Sequence, residues 1–324
     1  MFRWLDFKIT NRCNNRCVYC GVPHDSPDTK ELLETRCIEN ALEDALDIGF
    51  THFALLGGEP SMREDVERIL KPFKGSNPPQ TVMVVTNGLV FREGLYRELF
   101  STDATEALVV FSFDSFKKPN YKFQDPATSL RRIRAIQAIA RQCEDDGKRR
   151  AVTVHAVISR ENLQDIEEHV ERFRKMNIDV SLALVCPAVF ISQGVPQNYN
   201  EFSYAELDTI LAQLESLEAK DHLNFANRTL LEFLTLYPYG RLQVTSTCRA
   251  GRQVAVVNPD GSVFPCIAES YRGGVGYGNI ASESFKTIYH RMGSFVCSSC
   301  ESQSCWDHFL WDRLADRFES DRGE

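Results

Sequence analysis

Three cysteines stand close together near the start of the chain, Cys13, Cys17 and Cys20, in the spacing C-x3-C-x2-C. They follow an apolar run, residues 2–10, that is typical of a β-strand. A closed structural zinc site needs four protein ligands, so three thiolates leave one coordination position open on any metal that they hold. Iron–sulfur clusters favour thiolate ligands, and a cluster with three protein ligands keeps one iron free for an outside molecule. The spacing therefore indicates metal chemistry at an open site, with simple packing or zinc binding as the alternative.

Polar or glycine-rich residues also follow the later strands. The second predicted strand, residues 52–56, runs into Gly57-Gly58-Glu59-Pro60, where two glycines permit close backbone approach and a carboxylate stands at a strand end. Four more strands are predicted over residues 81–85, 107–113, 152–159 and 180–185, and the residues at or just after their ends are Asn87, Ser112, Asp114, Ser159, Asn162 and Cys186. In α/β barrels the carboxyl ends of the strands carry the chemistry, so these groups are expected at one mouth. The first helix is predicted from Asp28 to about Ile48 by its apolar spacing.

The cysteine motif, with Tyr19 before its third cysteine, and the tetrapeptide that begins at Gly57 resemble the radical S-adenosylmethionine (radical SAM) superfamily. The resemblance implies an α/β fold, an open (β/α)6 partial TIM-like barrel. It implies that the three cysteines bind three irons of a 4Fe–4S cluster, whose fourth iron is chelated by the methionine moiety of S-adenosylmethionine (SAM). The reduced cluster of that family cleaves the sulfonium to give a 5′-deoxyadenosyl radical. An external one-electron reductant, such as a flavodoxin or a ferredoxin-like protein, is then a partner.

The same resemblance assigns residues to the cofactor. Glu59 is expected to bind the ammonium of the methionine moiety, and the other expected cofactor-binding residues are Gly57, Gly58, Asn87, Ser112, Asp114, Ser159 and Asn162. For Asp114 a turn cap is the alternative. Side chains alternate along a strand, so His155 is expected on the same face as Ser159, where it would line the cavity. The alternative is a buried histidine whose ring nitrogens are hydrogen-bonded within the protein. Cys186 is a candidate hydrogen-atom donor to a substrate radical, with burial as an apolar side chain as the alternative.

A second group of cysteines lies in the C-terminal part, Cys248, Cys266, Cys297, Cys300 and Cys305. The first two flank a predicted β-hairpin with the turn 258–261. The order resembles the auxiliary-cluster extensions called twitch and SPASM domains. A full SPASM domain has seven cysteines and two clusters, so five cysteines predict one auxiliary 4Fe–4S cluster. We assign it to Cys248, Cys266, Cys297 and Cys300, with Cys305 as an alternative ligand and a zinc ribbon as the competing site. The predicted domains are residues 1–220, the barrel, and 221–324, a linker helix with the auxiliary domain.

Charge and composition limit the classes of binding partner and the cellular location expected for the chain. The chain of 324 residues has a formal net charge of −8, which disfavours nucleic acid and anionic membranes. Charged residues within the first twelve exclude a signal peptide there, and no apolar run approaches the length of a membrane span. A cytoplasmic location is therefore expected, where most of the eleven cysteines would serve metal or redox work rather than disulfides.

The substrate expected from the sequence is a small polar metabolite, such as an aminoglycoside or a nucleoside-like sugar. Dehydrogenation or epimerisation, with help from one auxiliary cluster, fits such a substrate. The expectation depends on the segment before Cys13, which is only twelve residues long, whereas many peptide-modifying relatives carry a leader-binding module there. Modification of a ribosomally synthesised peptide is the alternative, because leader-binding modules can be separate proteins. A non-enzymatic iron–sulfur or zinc scaffold is a further alternative. It would need the cysteines but not residues 57–60, so the presence of residues 57–60 favours an enzyme.

Overall fold

The structure is a computed structural model, and it describes residues 2–17, 19–20, 33–75, 78–117, 125–144, 147–185, 202–236, 248–271 and 276–295, with 310, 313, 314, 316 and 317. The six predicted barrel strands are present, and each ends within one residue of the predicted end. Their bounds are Trp4–Thr10 (β1), His52–Gly57 (β2), Thr81–Thr86 (β3), Glu106–Ser112 (β4), Arg149–Ile158 (β5) and Val180–Leu184 (β6).

The α-helices lie mostly between these strands and after them. Their bounds are Thr35–Asp47 (α1), Val66–Ile69 (α2), Glu93–Phe100 (α3), Pro126–Gln142 (α4), Ile166–Arg174 (α5), Tyr204–Ala219 (α6), Phe225–Leu236 (α7), Ile267–Tyr271 (α8) and Phe285–Met292 (α9). The predicted start of α1 at Asp28 is wrong, because Glu34 has extended backbone angles, φ −65° and ψ 144°, and the helix begins after it. No helix in the described ranges combines the length and the apolar character that crossing a membrane requires.

One sheet joins the N-terminal and C-terminal parts of the chain. Its strand order is β6-β5-β4-β3-β2-β1-β7-β8, where β7 is Val254–Val257 and β8 is Val263–Phe264. The first six strands pair in parallel and, in the described part, do not close on themselves, which confirms a partial barrel. The predicted hairpin is present, and β7 pairs in parallel with β1. The auxiliary part therefore continues the barrel sheet.

The two faces of the sheet differ. On the outer face, residues such as Phe7, Phe53 and Phe111 are fully buried against the helices. The other face, which we call the lumen face, carries two sets of residues in register. The lower row contains Asp6, Ala54, Met83, Leu108 and Ala151, and the upper row contains Ser112, His155 and Ser181.

Helix α7 covers the edge of β6. The side chain of Asn227 accepts a hydrogen bond from Leu182 N at 2.9 Å and donates one to Val180 O at 2.8 Å. These bonds satisfy backbone groups that an edge strand would otherwise expose. α7 therefore packs with the barrel, although it follows the predicted boundary at residue 220, and that boundary remains a prediction.

Candidate active site

The three N-terminal cysteines follow β1 directly, and all three are half-buried. Cys20 N donates a hydrogen bond to Cys17 O at 3.1 Å, and Asn15 N donates one to Cys13 Sγ at 3.4 Å. Burial raises the pKa of Cys13 to about 11. Burial and the neighbouring Cys20 raise the pKa of Cys17 further. The thiols of Cys13 and Cys17 therefore keep their protons in the absence of a metal, and metal binding releases them.

The donor chemistry of these thiols fits an iron–sulfur cluster. Within the described ranges, no three His, Cys, Asp or Glu side chains converge on one metal-ion position. In an iron–sulfur cluster the cysteine ligands bind different irons, so their sulfurs need not converge on one point. Thiolates are the donors that such clusters take. The set Cys13, Cys17 and Cys20 therefore fits the three-ligand cluster that the spacing predicts.

The glycines after β2 lie against the start of the cysteine segment, which we define as residues 10–32. Gly58 N donates to Thr10 O at 2.7 Å, and Glu59 N donates to Arg12 O at 2.7 Å. A Cβ on Gly58 would stand 2.2 Å from Arg12 O, and one on Gly57, whose φ is +142°, would stand 2.3 Å from Thr10 O. The close approach that these glycines permit is therefore to the chain itself. Their contact with the cofactor remains a prediction.

Glu59 is fully buried and joins the ends of β2 and β3. Its Oε1 accepts hydrogen bonds from Ser61 N at 3.1 Å, from Ser61 Oγ at 2.6 Å and from Thr86 Oγ1 at 2.7 Å. Its Oε2 accepts one from Asn87 N at 2.7 Å. Burial raises the pKa of this carboxyl, and the hydrogen bonds oppose the shift. Because Oε2 accepts from one donor among the described residues, it is the atom at which the predicted ammonium contact would form.

Asn87 connects β3 to the cysteine segment. Its Nδ2 donates to Asn14 Oδ1 at 3.0 Å and lies 3.8 Å from Cys13 Sγ, while its Oδ1 accepts from Leu89 N at 2.8 Å. The predicted residue therefore stands beside the first cysteine. Its partner Asn14 was not identified from the sequence.

Asp114 holds the other side of the same segment. Tyr19 donates its hydroxyl to Asp114 Oδ2 at 2.6 Å, and Val157 N donates to Asp114 Oδ1 at 2.9 Å. The predicted cofactor role of Asp114 and its alternative role as a cap for the following turn both remain predictions. The aromatic residue before Cys20 was a signal in the sequence, but its hydrogen-bond partner could not be identified there.

Asn162 and Ser159 are buried together at the end of β5. Asn162 Oδ1 accepts from Ser159 N at 2.8 Å, and Asn162 Nδ2 donates to Asp114 O at 3.0 Å and Val157 O at 2.9 Å. Both N–H groups of the Asn162 side chain are thus used within the protein. In this arrangement Asn162 positions its neighbours. The contacts of Ser159, Asn162 and the lumen-facing Ser112 with the cofactor remain predictions.

The described part of the auxiliary site lies around the hairpin. Cys266 follows β8 and is buried, and Cys248 is half-buried. Gly251 N donates to Pro265 O at 3.0 Å, so the segment after Cys248 lies beside Cys266. Four predicted residues lie outside the described ranges: Cys186, Cys297, Cys300 and Cys305.

A buried lysine connects the two parts. Lys8 of β1 donates to Ser270 Oγ in α8 at 3.0 Å, and its ammonium lies 4.0 Å from the centre of the Tyr271 ring. Burial lowers its pKa to about 8. A cation over an aromatic face is attracted by the ring, so this contact helps to hold α8 against the barrel.

Comparison with known families agrees with both parts of this site. Residues 7–173 match the radical SAM superfamily, and residues 248–306 match SPASM, an iron–sulfur cluster-binding domain. The first match covers more than half of the 324 residues. The chain belongs to the radical SAM superfamily and carries a C-terminal domain of the SPASM type.

Two curated relatives differ in how much of the chain they match. GTP 3′,8-cyclase of Desulforamulus reducens is 31% identical over 111 residues, which cover 31% of this chain and 34% of that enzyme. The matched part therefore spans about a third of that relative's length. PqqA peptide cyclase of Methylobacterium nodulans is 24% identical over 330 residues, which cover 98% of this chain and 79% of that enzyme.

Solved structures share the fold. SuiB of Streptococcus suis bound to its precursor peptide SuiA has a TM-score of 0.67 and 15% identity, over 96% of this chain and 71% of that one. anSMEcpe with bound AdoMet and the Cp18Cys peptide has a TM-score of 0.62 and 17% identity, over 98% of this chain and 95% of that one.

The family and its domain establish the cofactors as SAM, a SAM-binding 4Fe–4S cluster and an auxiliary 4Fe–4S cluster. When bound, the first cluster supplies reductive cleavage of SAM, which requires an electron donor. The chain itself holds the cysteine segment between the ends of β2, β3 and β4 through Glu59, Asn87 and Asp114. These contacts hold the described part of the segment, residues 10–17, 19 and 20, at the carboxyl ends of the strands.

Proposed function

We propose that this chain is a radical SAM enzyme that modifies a ribosomally synthesised peptide. The observation that carries the proposal is the match to PqqA peptide cyclase along 98% of the chain. The two fold neighbours were each solved with a peptide, which supports it. The earlier expectation of an aminoglycoside or sugar substrate has less support. Its argument from the short segment before Cys13 is weak, because leader-binding modules can be separate proteins.

The lumen face also favours a peptide side chain over a sugar. Three of its half-buried positions, Met83, Val85 and Val110, are apolar, and Ala54 and Leu108 of the lower row are buried. A sugar carries hydroxyls on every side, and each buried hydroxyl without a partner costs free energy. A mostly apolar wall with a few polar groups instead suits an amino-acid side chain.

Three polar side chains of that face form the upper row, and Asp6 lies in the lower row. His155 pairs in register with Ser112 on one side and Ser181 on the other. Burial lowers the pKa of His155 to about 4, so the imidazole is neutral at pH 7. A neutral imidazole offers one donor and one acceptor, and the two hydroxyls can do both. We propose that this row orients the polar part of the substrate residue below the cofactor.

The reaction class that we propose is a net oxidation of the peptide. A fully ligated auxiliary cluster has no free iron and cannot bind SAM. We therefore propose that it exchanges an electron with the substrate. A substrate that gives one hydrogen atom to the 5′-deoxyadenosyl radical, then one electron and one proton, ends two hydrogens lighter. Epimerisation, with Cys186 as hydrogen donor, is the competing reaction and leaves the mass unchanged.

The test uses the anaerobically reconstituted holoenzyme with SAM and flavodoxin or dithionite as reductant. One panel contains synthetic peptides that span all twenty residue types, and the other contains aminoglycosides, nucleosides and GTP. We expect peptides to stimulate 5′-deoxyadenosine release and to lose about two mass units, the mass of two hydrogens. Cys20→Ala is the matched inactive control. Stimulation by the second panel and not by the first would overturn the proposal.

A nucleotide substrate is the second candidate, because the chain is 31% identical to GTP 3′,8-cyclase over 111 residues. It predicts that GTP stimulates 5′-deoxyadenosine release in the same assay. GTP is therefore measured by itself within the second panel.

A further inference from the structure

Arg63 is a buried arginine that no sequence motif singled out, and it is 1% exposed. Its Nη1 donates to Ile9 O at 2.9 Å, and its Nη2 donates to Leu33 O at 2.9 Å. Ile9 lies at the end of β1, and Leu33 lies just before the residue that caps α1. One guanidinium therefore binds the backbone on both sides of the cysteine segment.

A carboxylate completes this arrangement. Arg63 Nε donates to Asp65 Oδ1 at 2.8 Å, and Nη2 donates to Asp65 Oδ2 at 3.2 Å. Asp65 Oδ2 also accepts the hydroxyl of Thr35, the first residue of α1. The buried charge is thus compensated, and the ion pair extends the connection from β1 to the start of α1.

The backbone around Arg63 is held from a third side. Arg92, the residue before α3, donates from Nη1 to Arg63 O at 2.6 Å and forms an ion pair with Glu67 at 2.6 Å. Gly58 and Glu59 bind the first residues of the cysteine segment through their backbone. Residues 57–63 therefore contact the beginning of the cysteine segment with backbone groups and both of its flanks with one side chain.

We propose that Arg63 is a positioning residue for the SAM-binding cluster. By fixing the distance between Ile9 and Leu33, it limits the conformations of the segment that carries the three thiolates, and this lowers the entropy lost when they gather on one cluster. A planar guanidinium can donate to both carbonyls and to Asp65 at once, whereas a lysine ammonium cannot form all of these hydrogen bonds together. Arg63 acts through the flanks of the cysteine segment, which are the groups that it binds.

A general stabilising role for a buried arginine is the competing explanation, and the chain supplies a matched control. Arg150 is 7% exposed. It donates to Phe100 O at 2.8 Å, Ala104 O at 3.1 Å and Thr102 O at 2.9 Å. These carbonyls belong to the last residue of α3 and to the connection between α3 and β4, at the opposite end of the strands from the cysteine segment. Both arginines therefore satisfy buried backbone carbonyls, but only Arg63 binds the flanks of that segment.

The experiment compares Arg63→Met with Arg150→Met after anaerobic reconstitution. Thermal unfolding, iron and sulfide content, and the electron paramagnetic resonance (EPR) spectrum of the reduced protein with and without SAM are measured. We expect both variants to unfold at lower temperature. Only Arg63→Met should lose the SAM-responsive signal or bind SAM roughly tenfold more weakly, the size that loss of a hydrogen bond to a charged group implies. Its auxiliary-cluster signal should persist.

Equal effects of the two variants on the SAM-responsive signal would show that Arg63 has only a general stabilising role. If either methionine variant fails to fold, Arg63→Lys and Arg150→Lys provide the same comparison with the charge retained. The same contrast between the two sites is then expected, and its absence would overturn the proposal. None of these measurements requires the substrate, so they do not depend on the proposed function.

Discussion

Replacing Cys13, Cys17 and Cys20 together by alanine is expected to abolish SAM cleavage and to halve the iron and sulfide of the reconstituted protein. Two 4Fe–4S clusters contain about eight irons and eight sulfides, so loss of one cluster leaves about four of each. SAM cleavage stops because the remaining cluster has no open iron. The measurement is metal and sulfide analysis together with 5′-deoxyadenosine release.

Cys143→Ala is the control for this variant, because Cys143 is also half-buried but packs against the hydrophobic core. It should retain the full iron content and full activity. Tightly bound zinc in either cysteine set, in place of iron, would contradict the account.

Glu59→Gln is expected to weaken both folding and SAM binding. Glutamine keeps the shape but places an NH2 group where one of the carboxylate oxygens accepts from Asn87 N or from Ser61 and Thr86. A donor that faces a donor in a fully buried site should lower the free energy of unfolding by roughly 1 to 3 kcal/mol. If the ammonium of SAM binds Oε2, SAM affinity should also fall by about one to two orders of magnitude.

The two effects are separated by chemical denaturation of the cluster-loaded protein and by equilibrium SAM binding. Glu93→Gln is the matched control, because Glu93 forms an exposed i,i+4 ion pair with Arg97 that should contribute little. Unchanged SAM affinity with reduced stability would remove Glu59 from the cofactor site and leave it as the connection between β2 and β3.

The strands and their ends could be predicted because they depend on local patterns. Apolar runs with period two, each followed by glycine or polar residues, located Thr10, Ser112 and Ile158 to within one residue. The same local reasoning made the error at α1, because the helical spacing of apolar residues did not show that Glu34 has an extended backbone and that the helix begins after it.

Contacts between distant segments could not be predicted from one sequence. The parallel pairing of β7 with β1 joins residues far apart in the chain, and no local signal sets that pairing. The same holds for Arg63, whose importance comes from two carbonyls that the fold places within its reach. For the glycines, the sequence indicated close backbone approach correctly but not that the partner is the cysteine segment itself.

The substrate was the least predictable feature. Motifs specify the cofactor because every family member must bind it. The proposed substrate surface is the lumen face, whose two rows together come from six strands. The alternation of side chains along β5 predicted the face of His155 correctly. Only the strand register shows that Ser112 and Ser181 are its neighbours.

The measurement that tests the whole account most directly is an EPR titration of the reduced wild-type holoenzyme with SAM. The account predicts two cluster signals, of which only the one that depends on Cys13, Cys17 and Cys20 changes when SAM is added. Both signals should respond to reductant, and the auxiliary signal should remain the same at saturating SAM. A single signal, or two signals that both ignore SAM, would contradict a chain with one open and one fully ligated cluster.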